Sequence, residues 1–262
     1  MSVRCELCFH HCILNEGQTG ACRARSNREG EIVPLHYGRL TALALDPIVQ
    51  KSLCRFHPGR RLLSVGSFGC NLHCPFCQNA AISDAGEEIP SRYCPPDQLV
   101  EEAVRLRSRG NIGIAYTYNE PLVGYEYVRD CAVLAHRAGL CNVLVTNGTA
   151  EQGPWRALLP LIDAANIDLK GFTERWYRQL GGELAVVKRN IETAAAQCHL
   201  EITVLVVPGE NDSEEEMRAL SGWLSSIRPD IPLHVSRFFP RHRMQDRPPT
   251  PVQTVYRLAE VA

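Results

Sequence analysis

The sequence predicts an α/β protein, a partial (βα)₆ barrel carrying a small cysteine-rich, metal-binding segment at its N-terminus. Three observations lead there. From Leu62 onward, short apolar runs alternate six times with stretches of helical periodicity, a pattern that builds a parallel sheet with helices outside. Polar, chemistry-bearing residues come after the apolar runs, at the ends where parallel strands open onto one mouth. Four cysteines crowd into the first twenty-two residues, among turn-prone residues that leave no core.

Composition narrows the function classes. The chain has 262 residues, 45% of them hydrophobic, which suffices for one barrel-sized core. A net charge of −1 gives no general pull toward nucleic acid or anionic lipid. Residues Met1 to Cys8 lack the apolar stretch of a secretory leader. The longest apolar run, Ile202 to Pro208, is far short of the roughly 20 residues of a membrane helix. A cytoplasmic protein is expected, and there twelve cysteines read as metal ligands rather than disulfides. Five of the twelve, at 54, 94, 131, 141 and 198, are scattered and read as small core residues or loop thiols.

Residues 1–60 are expected to form the cysteine-rich segment and residues 61–262 the barrel. In the first, Cys5-x₂-Cys8-x₃-Cys12-x₉-Cys22 supplies four thiols, enough for a structural metal that would provide folding energy. Zinc and an iron–sulfur cluster both accept four cysteines, and the spacing does not choose between them. His10 and His11 read as polar loop residues.

In the barrel, Leu62–Ser67 reads as the first strand, and Pro95-Pro96-Asp97 opens a helix that stops near Gly110. Asn111–Tyr116, Cys141–Thr146, Ala164–Leu169, Leu200–Val207 and Pro232–Arg237 read as the next five strands. Helices are expected over 122–138, 153–160, 174–180, 184–197, from an N-cap at Asp212 to Ile227, and over Pro251–Val261. An open doubly wound sheet fits the same alternation. No G-x-G-x-x-G comes after any strand, however, and the clustering of strand-end residues favours the barrel.

After the first strand comes Cys70-x₃-Cys74-x₂-Cys77. Three thiolates on one tight loop converge on one metal centre but fall short of the four ligands of a closed site. A cuboidal iron–sulfur cluster held this way keeps one iron open for a non-protein ligand.

The chain resembles radical S-adenosylmethionine (SAM) enzymes of the pyruvate formate-lyase activating type, and within them the radical SAM member of the AmmeMemoRadiSam system. The resemblance rests on Cys5-x-Leu7-Cys8-x₃-Cys12 with Gly20-Ala21-Cys22-Arg23, Leu45-Asp46-Pro47-Ile48 and His57-Pro58-Gly59. It continues through Cys70 to Asn79, Tyr116 to Pro121, Asn166 to Gly171 and His234 to Phe238. It implies a [4Fe–4S] cluster on Cys70, Cys74 and Cys77 whose open iron is chelated by SAM. It also implies reductive cleavage to a 5′-deoxyadenosyl radical and hydrogen abstraction from a substrate.

By the same resemblance Phe76 lies near the adenine and His234 against the ribose, while Asn119 and Glu120 receive the methionyl ammonium. Their competing reading is a helix cap at Pro121. Asp168 and Lys170, two apart on a strand and so on one face, either bind the zwitterionic methionine end or simply pair with each other. Thr146 matches a residue that touches a monovalent cation, but its neighbour, usually aspartate, is Val145 here. Tyr118-Asn119-Glu120-Pro121 replaces the Gly-Gly-Glu-Pro run of the wider superfamily, and the chain ends inside the last helix, where relatives continue.

The expected partners are a flavodoxin or ferredoxin reductant and a protein or small-molecule substrate. A glycyl-radical enzyme is one candidate target, and a small molecule modified together with partner proteins is the other. A contrasting class is a non-catalytic zinc-binding interaction protein with both cysteine groups structural. The basic run Arg237 to Arg243 reads as a solvated loop rather than a nucleic-acid contact.

Overall fold

A computed structural model describes all residues, 1–262. Seven strands form the main sheet: β1 (Ala42–Pro47), β2 (Arg61–Gly66), β3 (Asn111–Tyr116), β4 (Cys141–Thr146), β5 (Ala164–Asp168), β6 (His199–Val206) and β7 (Leu233–Arg237). They lie side by side in chain order; β2 to β7 run parallel, and β1 is antiparallel at the edge. A doubly wound sheet reverses its strand order part-way. This one never reverses, so all crossovers advance in one direction, as a barrel requires.

The helices are α1 (Ala80–Ser83), α2 (Pro96–Arg105), α3 (Tyr125–Arg137), α4 (Gln152–Leu158), α5 (Glu174–Gln179), α6 (Leu184–Ala195), α7 (Glu214–Ile227) and α8 (Val252–Val261). Alternate strand residues such as Leu63, Val65, Ile114, Tyr116, Leu144, Ile167, Ile202 and Val204 pack against the helices in the largest apolar cluster. Their neighbours Asn166, Asp168, Thr203 and Ser236 face the interior cavity. No helix is long and apolar enough to cross a membrane.

The six parallel strands fall where the periodicity placed them, within a residue or two. Three local expectations change. The helix expected from Asp212 is capped instead by Ser213, whose hydroxyl accepts from the Glu216 amide at 3.2 Å; Asp212 accepts from the Gly209 amide in the preceding turn. The helix expected over 122–138 begins as a 3₁₀ turn, Pro121–Gly124. Finally, the cysteine-rich segment does not run undivided to residue 60, because β1 lies inside it and completes the sheet edge. β1 carries no strand alternation clear enough to have been read in advance.

After β1 the chain crosses beneath the interior as a 3₁₀ turn, Ile48–Lys51, and an irregular stretch to Arg60. Ile48 and Leu53 pack there with Leu62, Ala115, Val143 and Ala164, closing the barrel at the N-terminal ends of its strands. This floor leaves the opposite end open.

Candidate active site

The cysteine loop is held in place by Asn119, in the segment after β3. Asn119 Oδ1 accepts from the Ser67 amide at 2.9 Å, and its Nδ2 donates to the Phe68 and Gly69 carbonyls at 3.0 and 3.1 Å. Asn119 is thus consumed in holding the loop. Gly69 has φ +84°, and a Cβ there would lie 2.5 Å from the Cys22 carbonyl. The loop therefore needs glycine both for its left-handed turn and for close approach to the N-terminal segment.

Cys70, Cys74 and Cys77 face a cavity of about 820 Å³ at the C-terminal ends of the strands. Phe76, Asn119, Glu120, Thr146, Asp168 and Lys170 line it too. Lys170 Nζ lies 2.7 Å from Asp168 Oδ2. The Lys170 backbone is pinned on three sides: Trp176 Nε1 and Asn211 Nδ2 each donate to its carbonyl at 2.9 Å, and its amide donates to Tyr177 Oη. Burial works to lower the Lys170 pKa, but Asp168 and the Cys74 sulfur outweigh it and hold the ammonium charged. One wall therefore presents a fixed plus and minus, a fit for a zwitterion.

Glu120 is buried beneath this wall. It accepts from Thr146 Oγ1 at 2.6 Å, the Asn147 amide at 2.8 Å and the Leu122 amide at 3.0 Å. Burial nevertheless pushes its pKa up to about 7. Between the two residues expected at Pro121, Glu120 is the one that caps the turn. Thr146 spends its hydroxyl on Glu120, and Val145 lines the cavity beside it. Phe76 stacks on Trp176 with ring centroids 6.0 Å apart, in a cluster with Leu180, Val207, Phe238 and Met244.

His234 is not in this cavity. It sits at the opposite end of the interior, with Nε2 2.7 Å from Glu201 Oε2. Glu201, 0% exposed, also meets His199 Nε2 at 2.8 Å, the Cys54 and Arg55 amides at 3.0 and 2.8 Å, and Cys54 Sγ at 3.2 Å. Burial acts to raise its pKa, but these hydrogen bonds win and bring it to about 2. Cys54, Glu201 and His234 keep their ligand atoms within 4.8 Å of one another. Five donors already saturate the carboxylate, so the group works as a clasp fixing the floor to β6 and β7.

Several cavity residues escaped the sequence reading. Asp46 and Lys51 pair at 2.7 Å, and Asp46 also accepts from Tyr118 Oη at 2.6 Å. Tyr118 holds φ +73°, strained for a side chain of its size, with Lys51 Nζ 4.6 Å from its ring centroid. Asn147 Nδ2 reaches Asn71 Oδ1 at 3.0 Å and Cys70 Sγ at 3.7 Å. The residues Asn166, Thr203, Leu205 and Ser236 obey the period-2 rule, which could have found them once the strands were assigned.

At the N-terminus, Cys5, Cys8, Cys12 and Cys22 converge on one small enclosed space, with His10 and Arg25 at its wall. None of the twelve cysteines is in a disulfide.

The donor set suits an iron–sulfur centre. Burial drives the Cys70 thiol well above its ordinary pKa and Cys74 up to about 11. Such thiols become thiolates only beside a strong cationic partner, which metal supplies.

The radical SAM superfamily model matches residues 64–220, more than half of the chain. This chain is a member of the radical SAM superfamily. It is 38% identical over 263 residues to the uncharacterized protein MJ0808 of Methanocaldococcus jannaschii, covering 97% of this chain and 75% of that protein. It is 25% identical over 189 residues to the benzylsuccinate synthase activating enzyme of Thauera aromatica, covering 70% of this chain and 56% of the relative. Among solved structures, Streptococcus suis SuiB bound to precursor peptide SuiA superposes with a TM-score of 0.58 at 14% identity, covering 74% of this chain and 43% of SuiB. That likeness concerns the fold. Superfamily membership implies a [4Fe–4S] cluster and SAM, and Cys70, Cys74 and Cys77 are the residues that would hold the cluster.

Proposed function

We propose that the protein cleaves SAM reductively and removes a hydrogen atom from a substrate bound at the barrel mouth. The observation that carries this reading is the single cavity shared by three loop thiols and the fixed Asp168–Lys170 pair. Cys70, Cys74 and Cys77 would hold the cluster, which would supply the one electron that reductive cleavage of the SAM sulfonium needs.

The protein's own residues do the positioning. Asp168 and Lys170 hold the two charged ends of an amino acid moiety. Glu120, anchored by Thr146 and Asn147, takes up a proton as pH falls through about 7, which lessens the negative charge beside the thiolate wall. Phe76 and Trp176 form an apolar flank. Asn119 fixes the loop so that the thiols stay gathered. The bottom clasp takes no part.

The substrate falls within activase-type chemistry, supported by the likeness to the benzylsuccinate synthase activating enzyme. Modification of a small molecule together with partner proteins is the alternative reading, and the N-terminal motifs that resemble the AmmeMemoRadiSam type keep that family beside the activases. A flavodoxin- or ferredoxin-type protein serves as reductant, and the N-terminal thiols bind a second metal. Twelve unpaired cysteines suit the reducing cytoplasm.

Anaerobic reconstitution and then dithionite reduction tests the proposal. 5′-Deoxyadenosine should form from SAM and should disappear in a Cys70/Cys74/Cys77→Ala triple variant. Product persisting in that variant refutes the assignment.

A further inference from the structure

The four N-terminal cysteines are brought together by short pairings. The Cys5 amide donates to the Cys12 carbonyl at 2.9 Å, and the residues flanking Cys22 turn back on Gly20 and Arg25. Two observations identify what the space receives. The first is charge. Arg25 is buried, 6% exposed; its terminal nitrogens bond Glu126 at 2.6 and 2.7 Å, but its Nε has no partner and its side chain lines the space. An unsatisfied buried guanidinium N–H beside four thiols calls for an anionic occupant, and a metal–tetrathiolate centre is one.

The second is size. No three of these four sulfurs lie within 4.8 Å of one another. Tetrahedral zinc, at about 2.3 Å from each sulfur, holds its ligands roughly 3.8 Å apart. The Cys70, Cys74 and Cys77 sulfurs are likewise spread beyond 4.8 Å. Both groups are open to the wider span of a cluster, where iron and sulfide fill the centre.

The two groups also share a wall. Cys22 and Ala24 press against Gly69, the residue before Cys70. His10 Nε2, two residues on from Cys8, lies 2.7 Å from the Asn71 carbonyl. Asn71, 2% exposed, is covalently next to Cys70, and Asn147 joins its amide to Cys70 Sγ.

We propose that Cys5, Cys8, Cys12 and Cys22 hold an auxiliary iron–sulfur cluster, not zinc, and that Asn71 couples it electronically to the centre on the cysteine loop. This rests on the proposed function for the loop centre, and two variants separate the claims.

The Cys70/Cys74/Cys77→Ala variant leaves the N-terminal site intact. After anaerobic reconstitution with iron, sulfide and zinc all present, it should hold about four irons and four sulfides and no zinc. Zinc without iron in this variant overturns the auxiliary cluster. A folded Cys5/Cys8/Cys12/Cys22→Ala variant should keep about four irons. If it is folded and holds none, the loop assignment fails instead. Should it not fold, the triple variant alone decides the N-terminal site. In the fully reduced wild-type protein, electron paramagnetic resonance should show spin coupling. A wild-type spectrum equal to the sum of the separate centres overturns the coupling through Asn71.

Discussion

The barrel buries two glutamates, one at each end, and treats them oppositely. Glu120 at the mouth is 4% exposed and Glu201 at the floor 0%. Both have cysteines, polar side chains and backbone amides near them. At the floor, two amides, two imidazoles and a thiol converge on one carboxylate, which stays ionised down to about pH 2. At the mouth three donors do not outweigh burial, and the group titrates near 7. Residue type does not distinguish a clasp from a site wall; the completeness of hydrogen bonding does. A carboxylate with every acceptor position taken has nothing left to offer a ligand.

The comparison breaks most directly at Glu201. Glu201→Ala strands two amides and two imidazoles, and we expect a loss of about 3–5 kcal/mol in urea unfolding. Affinity for SAM, measured on the folded fraction, should be unchanged. Lost SAM binding at undiminished stability would move the site to the floor.

At the mouth the pattern inverts. Lys170→Met removes a charged partner from the ligand wall, which is worth about 1.5–3 kcal/mol per hydrogen bond to a charged group, or roughly 10- to 100-fold in SAM affinity. Stability should change little, because Asp168 is about a third exposed and can turn to water. Equilibrium binding and urea midpoints on the same variant check both halves.

The pH dependences should have opposite signs. Glu120 has a folded-state pKa raised from 4.5 to about 7, so its contribution to stability is full below 4.5 and is lost as pH rises through 7. Glu201 has one lowered from 4.5 to about 2, so its contribution is full above 4.5 and is lost as pH falls toward 2. Subtracting the Glu120→Gln stability profile from wild type should therefore isolate a decline between pH 4.5 and 7. A flat difference would show that Glu120 is not shifted.

The smallest effect is expected at His234. His234→Gln retains a donor to Glu201, so a loss of about 1 kcal/mol or less is expected, with SAM turnover unaltered. A turnover loss well beyond the stability loss would restore His234 to the cofactor.

His234 also shows where sequence reading ends. The strand carrying it, its inward face and even its neighbour Ser236 can be inferred from alternation, and Ser236 does line the cavity. Two residues along a strand, however, change depth by about 6.6 Å, enough to put His234 at the other end of the interior. Asp168 and Lys170 were legible because they stand at the end of a strand, where depth is unambiguous. Asn119 was identified as polar and near the site, but nothing local revealed that its amide is spent on the Ser67, Phe68 and Gly69 backbone.

The sequence by itself determined the six parallel strands, the helices between them, the loop bearing Cys70, Cys74 and Cys77, and the N-terminal set of four thiols. Each is local: apolar period, turn residues and cysteine spacing act within a dozen residues. Tertiary structure decided the rest. β1 joined the sheet from within the cysteine-rich segment, the crossing chain after it became the floor, and Asn71 came to stand between the two thiol groups. Those outcomes depend on pairing and burial between segments far apart in the chain, such as Cys54 with Glu201. No short-range pattern encodes them, because the energy that selects them arises only when distant segments share one interior.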